Sequence, residues 1–320
     1  MMAESLAGQM RLAALALLAG LTGEQRAAAA LAFADEQARR WLEYRPEQRP
    51  GACLAGLSPA ARKAAHRLLA TGLSEPGYAQ AMAIVALEEV LDRQEGWRRG
   101  RHSGDYWVSV FGDPVGDRPW AWRFEGHHLS VTMTISGENI SPAPVFLGAN
   151  PARVAHAGRT VSRPLAPEED VARALLDSLG PAGRAVAVVA DTAPADIRSA
   201  TRPRVPAGLG SPGIAAGRLG PTARALLGQL VAVYLDRLPA GLAAVQAGRI
   251  AADGELTFAW EGPLVPGTRH YYRITGEDLL IEYDNTADDG NHAHTVLRRP
   301  HSDFGDDILA GHYDRDHAAG

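Results

Sequence analysis

The stretch His128-Leu129-Ser130-Val131-Thr132-Met133-Thr134-Ile135 alternates without a break, with Leu129, Val131, Met133 and Ile135 on one side and His128, Ser130, Thr132 and Thr134 on the other. Successive side chains of an extended strand point to opposite faces, so this pattern reads as a β-strand with one face toward a core. Just upstream, Trp107-Val108-Ser109-Val110-Phe111 and Trp120-Ala121-Trp122-Arg123-Phe124 have the same period, separated by the turn-rich Gly112-Asp113-Pro114-Val115-Gly116-Asp117. The last third returns to it in Leu256–Trp260, Arg269–Thr275, Leu279–Tyr283 and Ala293–Arg298, with Gly276-Glu277-Asp278 as a tight hairpin connection.

Between and before these strands the pattern is helical. Residues 1–95 are rich in Ala, Leu, Arg and Glu, with breaks at Arg45-Pro46, Arg49-Pro50-Gly51 and Glu75-Pro76-Gly77. Pro167-Glu168-Glu169-Asp170 opens a helix to Leu179, its carboxylates placed where the helix dipole favours them, and a second helix is expected over 221–238. Residues 140–165 and 191–218 hold so many Pro and Gly residues that both read as irregular chain, the second as a long loop of the functional or mobile kind. Four strings begin with leucine, pass a cap or turn residue and reach arginine: Leu21-Thr22-Gly23-Glu24-Gln25-Arg26, Leu57-Ser58-Pro59-Ala60-Ala61-Arg62, Leu179-Gly180-Pro181-Ala182-Gly183-Arg184 and Leu219-Gly220-Pro221-Thr222-Ala223-Arg224. Read alone, they are a capping grammar open to any helix rather than a sign of duplication. The expected architecture is one α+β domain over 1–320. An antiparallel, meander-rich sheet is covered by helices; residues 1–100 form a helical N-terminal region, and 101–320 are β-rich with inserted helices.

Composition narrows the function classes. The chain has 320 residues, 46% hydrophobic and 22% charged, enough for a sizeable core, and a formal charge of −5 gives no field for gathering nucleic acid. Its longest apolar run, Leu12 to Leu21, is only about half the length that spans a bilayer, so no membrane segment is expected. Cys53 is the only cysteine, which rules out an intrachain disulfide and thiolate metal clusters. Glu4 interrupts the basic leader a signal peptide would need, so a cytoplasmic protein is expected, with export left open.

Histidine is the informative residue type. Six of the 11 fall in three clusters: His127-His128, His292-Ala293-His294 and His312 to His317. On a strand, His292 and His294 project from one face, a geometry that suits one metal ion. His128, on the polar face of its strand, is the expected third ligand; His127 must then point to the opposite face and is the fallback, and His312 is a further candidate. Carboxylate candidates are Glu125, Glu282, Asp284, Asp303 and Asp307. Asp284 stands out, at a strand end near the His-x-His pair, as a ligand, an orienting partner or a general base. Arg273, Arg298 and Arg299 are candidates for holding a substrate carboxylate, and the strand aromatics for walling a pocket. Imidazole ligation without thiolate fits copper or iron first, with zinc or manganese as alternatives.

The strings Gly126-His127-His128-Leu129-Ser130, His270-Tyr271-Tyr272-Arg273-Ile274, Ile281-Glu282-Tyr283-Asp284-Asn285-Thr286, Asn291-His292-Ala293-His294-Thr295-Val296 and Asp303-Phe304-Gly305-Asp306-Asp307 with His312-Tyr313 resemble the bacterial family called domain of unknown function 3500. The likeness covers most of the chain, strongest over 106–317. It implies no catalytic residues, but its strings coincide with the histidine clusters. Together these readings lead to a metal-dependent enzyme, an oxidoreductase using dioxygen on a small organic substrate. Zinc-type hydrolysis and a non-catalytic metal-binding or structural protein are the alternatives. Neither nucleic acid nor a membrane is expected as a partner, and the oligomeric state is left open.

Overall fold

The computed structural model describes residues 4–252 and 254–310. In chain order the first half runs α1 (Leu6–Gly20), α2 (Gly23–Ala29), β1 (Ala30–Leu31), α3 (Glu36–Arg39), β2 (Ala52–Cys53), α4 (Pro59–Gly72), α5 (Glu75–Gln94), β3 (Tyr106–Phe111), β4 (Trp120–Gly126), β5 (Leu129–Ser136), β6 (Asn139–Ser141) and β7 (Val145–Ala149). A small hairpin of β8 (Val154–His156) and β9 (Arg159–Ser162) follows. The second half runs α6 (Ala166–Ser178), α7 (Gly180–Ala187), β10 (Val188–Ala190), β11 (Ile214–Ala215), α8 (Pro221–Leu235), α9 (Ala240–Ala252), β12 (Thr257–Glu261), β13 (Tyr271–Gly276), β14 (Leu279–Ala287) and β15 (His292–Arg298).

One 13-stranded sheet passes through both halves in the order β1-β3-β4-β5-β7-β15-β14-β13-β12-β10, with β2 beside β3, β6 beside β5 and β11 beside β12. The fold is thus α+β with a large, mostly antiparallel sheet. β7, inside the stretch read as irregular, is a central strand that joins the halves by pairing with both β5 and β15. Prolines at 144 and 151 flank its five residues and hide it in the composition. Helix α9 also goes beyond the sequence expectation. The long loop is interrupted by β11, and the helical first third contributes β1 and β2 to the sheet.

The two halves repeat one plan. β1 lies parallel to β3 as β10 does to β12, β2 lies antiparallel to β3 as β11 does to β12, and α1 packs on α4 as α6 does on α8. The four leucine-to-arginine strings open α2, α4, α7 and α8, equivalent places in the two copies, which overturns their reading as capping alone. The likeness extends to Pro50-Gly51 and Pro212-Gly213. Both glycines have positive φ, +118° and +104°, and both lie against the backbone of their neighbouring strand with no room for a Cβ. That contact seats β2 on β3 and β11 on β12.

Each face of the sheet is covered. Leu129, Val131, Met133 and Ile135 pack with the helices in the main core, which includes Trp122 and Trp260. The polar row Ser130, Thr132 and Thr134 is equally buried, under loops rather than in solvent. Arg123 donates to the carbonyls of Ala38 and Arg39 at 3.0 and 3.2 Å, and the N–H groups of Arg198 and Ser199 donate to Glu282, so segments near 33–50 and 191–206 close over this face.

Candidate metal centre

His128 occupies the two-residue turn between β4 and β5, where Gly126 pairs with Leu129, rather than a regular strand position. Its φ of +62° is uncommon for a residue with a Cβ. Two backbone hydrogen bonds hold it there: its N–H donates to the Tyr44 carbonyl (3.1 Å), and its own carbonyl accepts from the Gly148 N–H (2.7 Å). His127 shares the turn, so the expectation that the two rings point to opposite faces fails; their centroids are 3.7 Å apart. His127 turns toward Glu88 and Arg101.

His292 and His294 project together from β15, as strand alternation requires. His294 lies opposite Gly148 in the register. A Cβ on Gly148 would stand 2.7 Å from Cδ2 of His128 and 3.1 Å from Cδ2 of His294, so the missing side chain makes room for both rings. Nε2 of His128 is 2.8 Å from Nε2 of His292, which is 3.0 Å from Nε2 of His294. The rings of His128 and His294 are buried and that of His292 is 17% exposed, so the cluster has one accessible edge.

Carboxylates stand behind two of these rings. Nδ1 of His292 faces Asp288 at 3.0 Å, and Nδ1 of His294 faces Asp196 at 2.9 Å and Asp284 at 3.5 Å. Asp196 also accepts from the Tyr44 hydroxyl at 2.7 Å. The Tyr44 ring stacks on Phe146 at 4.2 Å and leans on His294 at 4.9 Å. An anionic acceptor at Nδ1 fixes the ring proton there and leaves Nε2 as a bare lone pair. Two bare lone pairs facing each other at 3.0 Å repel unless a cation, a proton or a metal ion, lies between them.

The titration behaviour follows the same physics. Burial opposes charge on His294, but the Asp284 carboxylate and the hydrogen bond to Asp196 outweigh it and raise the pKa to about 9. His292 is pushed down to about 4 by burial and by the His294 charge, against the pull of Asp288. Burial first, then the neighbouring imidazoles, hold His128 well below the ordinary histidine value. One positive charge is favoured at the cluster, and not three.

The donor set fits a metal ion. Nitrogens about 2.0–2.1 Å from a shared ion are about 2.9–3.4 Å apart over square to tetrahedral angles, close to the separations here. Among the described residues, His128, His292 and His294 form one group able to hold a metal ion. Glu88–His127–His128 and Asp196–Asp284–His294 are two more, each sharing a histidine with the first.

Of the other anticipated residues, only Asp284 lies at the cluster. Asp284 stands behind His294 and accepts from the N–H and hydroxyl of Thr286. Arg298 is no substrate clamp: fully buried, it donates to Asp303 and to the carbonyls of Arg202 and Pro203. Arg299 binds Gln246 and Asp278. Arg273 is buried on the loop-covered face. Glu125 pairs with Arg123, Glu282 with Tyr271 and backbone amides, Asp303 with Arg298 and Asp307 with Arg249, so none is placed as a general base. His312 lies outside the described residues. Sequence reasoning missed Tyr44, Gly148, Asp196 and Asp288. Only Asp288, four residues before His292, had a local signal, while Asp196 lies in the loop marked as functional or mobile.

Among the described residues no helix is long and apolar enough to cross a membrane. No curated protein and no solved structure matches the chain. A family model described as "Protein of unknown function (DUF3500)" matches residues 3–306, and on that match, which takes in the turn histidines and the His-x-His strand, the chain belongs to this family.

Proposed function

We propose that the protein is a metal-dependent enzyme, an oxidoreductase that uses dioxygen on a small organic substrate, with His128, His292 and His294 as ligands. The observation that carries this reading is the convergence of three Nε2 atoms, two of them on rings whose Nδ1 faces a carboxylate, so that the cluster favours a cation at its centre. Copper or iron, when bound, would supply electron exchange with dioxygen. The chain's own residues do the rest. Asp288, Asp196 and Asp284 orient the imidazoles and make them better donors. Tyr44 and Phe146 keep water from one flank, and the partly exposed edge of His292 is the side from which a small molecule enters.

Zinc-type hydrolysis is the second reading, favoured by the carboxylate-backed imidazoles, an arrangement common around zinc. Metal analysis of protein purified without a histidine tag decides between them. About one equivalent of copper or iron per chain with visible absorption is expected, and colourless zinc at the same stoichiometry would transfer the proposal to hydrolysis. Less than about a tenth of an equivalent after reconstitution with each metal would overturn both.

A further inference from the structure

Arg123 and Arg273 occupy equivalent places in the two halves, each the residue before the last apolar position of the second meander strand, and each on the loop-covered face. In Arg123 both Nε and Nη1 are engaged: Nε donates to Glu125 (2.6 Å) and Nη1 to the carbonyls of Ala38, Arg39 and Trp41, and only Nη2 is enclosed without an acceptor. Arg273 is only 5% exposed, yet among the described residues its Nε and Nη1 are enclosed with no acceptor. Two substitutions of partner explain the difference. Thr275 stands where the first half has Glu125, and the loop carbonyls of Arg202 and Pro203 are drawn to Arg298 instead.

The carboxylate across the strand is already taken. Glu282, the cross-strand partner of Arg273, accepts from the N–H groups of Arg198 and Ser199 and from the Tyr271 hydroxyl. Ser199, fully buried, lies against the same Glu282 carboxylate with both its N–H and its side chain. A guanidinium removed from water with no acceptor is a costly arrangement, and its planar fork matches a two-oxygen anion.

We propose that Arg273 is the binding site for a small oxyanion, held beneath the 191–206 segment independently of the metal centre. The ligand is a carboxylate group or an inorganic oxyanion; the shared chemistry is a pair of oxygens facing Nε and Nη1.

The test uses full-length protein treated with chelator, so that failure of the metal reading cannot affect it. Thermal unfolding is followed in sodium acetate, sodium phosphate and sodium chloride at matched ionic strength. Acetate or phosphate is expected to raise the unfolding temperature saturably above chloride, and the larger response identifies the source as carboxylate or inorganic. Arg273→Met should abolish that response while remaining at least as stable as wild type in chloride. Should Arg273→Met not fold, Arg273→Lys, which keeps the charge but not the fork, should move the anion midpoint up by about tenfold or more. Equal unfolding temperatures in all three salts, or an undiminished response in the variants, would overturn the site.

Discussion

The two halves end their second and third meander strands in the same two-residue turn, but fill it with opposite chemistry. In the first half the turn is His127-His128, in the second Glu277-Asp278, and each is bracketed by a Gly–Leu pair in register. The second turn satisfies itself. The Asp278 carboxylate accepts from the His301 N–H at 2.7 Å, the Ser302 hydroxyl at 2.6 Å and the Arg299 guanidinium at 2.6 Å. The first turn instead directs His128 across to two histidines of the other half, where three Nε2 atoms converge. The fold therefore asks for a short turn here, and not for imidazoles; the histidines are surplus to folding and available for chemistry.

The most severe way to break this comparison is to empty the histidine end. His292→Ala with His294→Ala should reduce metal from about one equivalent to less than about a tenth, read by elemental analysis, with the far-ultraviolet dichroism of wild type. A double variant that retains stoichiometric metal would move the ligands elsewhere, and one that unfolds would make the histidines structural after all.

The next effect tests the equivalence of the halves. Gly51→Ala and Gly213→Ala each force a Cβ into a positive-φ residue pressed on strand backbone, near Val108 in one half and Phe258 in the other. Each should lower stability by about 3 kcal/mol or more in chemical denaturation. If only one does so, the two contacts are not the same structural device.

Much of this was legible in sequence because period-two alternation reports burial directly. The meander strands β3 to β5 and β12 to β15 declare themselves, and His292 and His294 meet because positions i and i+2 share a face. The approach of His128 depends on strand order: β7 must lie between β5 and β15 and carry a glycine opposite His294, and nothing local in the sequence announces that. Strands of two or three residues, β1, β2, β10 and β11, are too short to show a period. They carry the symmetry, so the repeated strings looked like capping alone. Asp196 and Tyr44 meet from segments 152 residues apart, a contact that only the closed structure reveals.

A smaller effect separates the halves by pH. His270, which stacks on Trp260 at 4.5 Å, stands where the first half has Trp120. Burial, reinforced by the Arg173 charge, lowers its pKa to about 4, below the unfolded value of about 6.5. Because the folded state prefers the neutral ring, its contribution is complete above pH 6.5 and is lost as pH falls toward 4. The loss amounts to as much as about 3 kcal/mol. In urea unfolding across that range, His270→Phe should flatten the stability profile by this amount, and an unchanged slope would show that other groups govern it.

The finest distinction lies behind the histidines. Asp288, 60% exposed, is the one carboxylate at Nδ1 of His292, beside the Asn150 amide at 3.2 Å, whereas His294 is backed by both Asp196 and the buried Asp284. Losing one carboxylate is cushioned where a second remains and the donor is closely packed, so Asp288→Asn should weaken metal binding by about tenfold and Asp196→Asn by less. Competition with a chromophoric chelator measures both. If Asp196→Asn proves the more damaging, its link to Tyr44 matters more than the charge it places behind the ring. The prediction would then shift to Tyr44→Phe, which removes the hydroxyl held 2.7 Å from Asp196 and leaves the carboxylate in place.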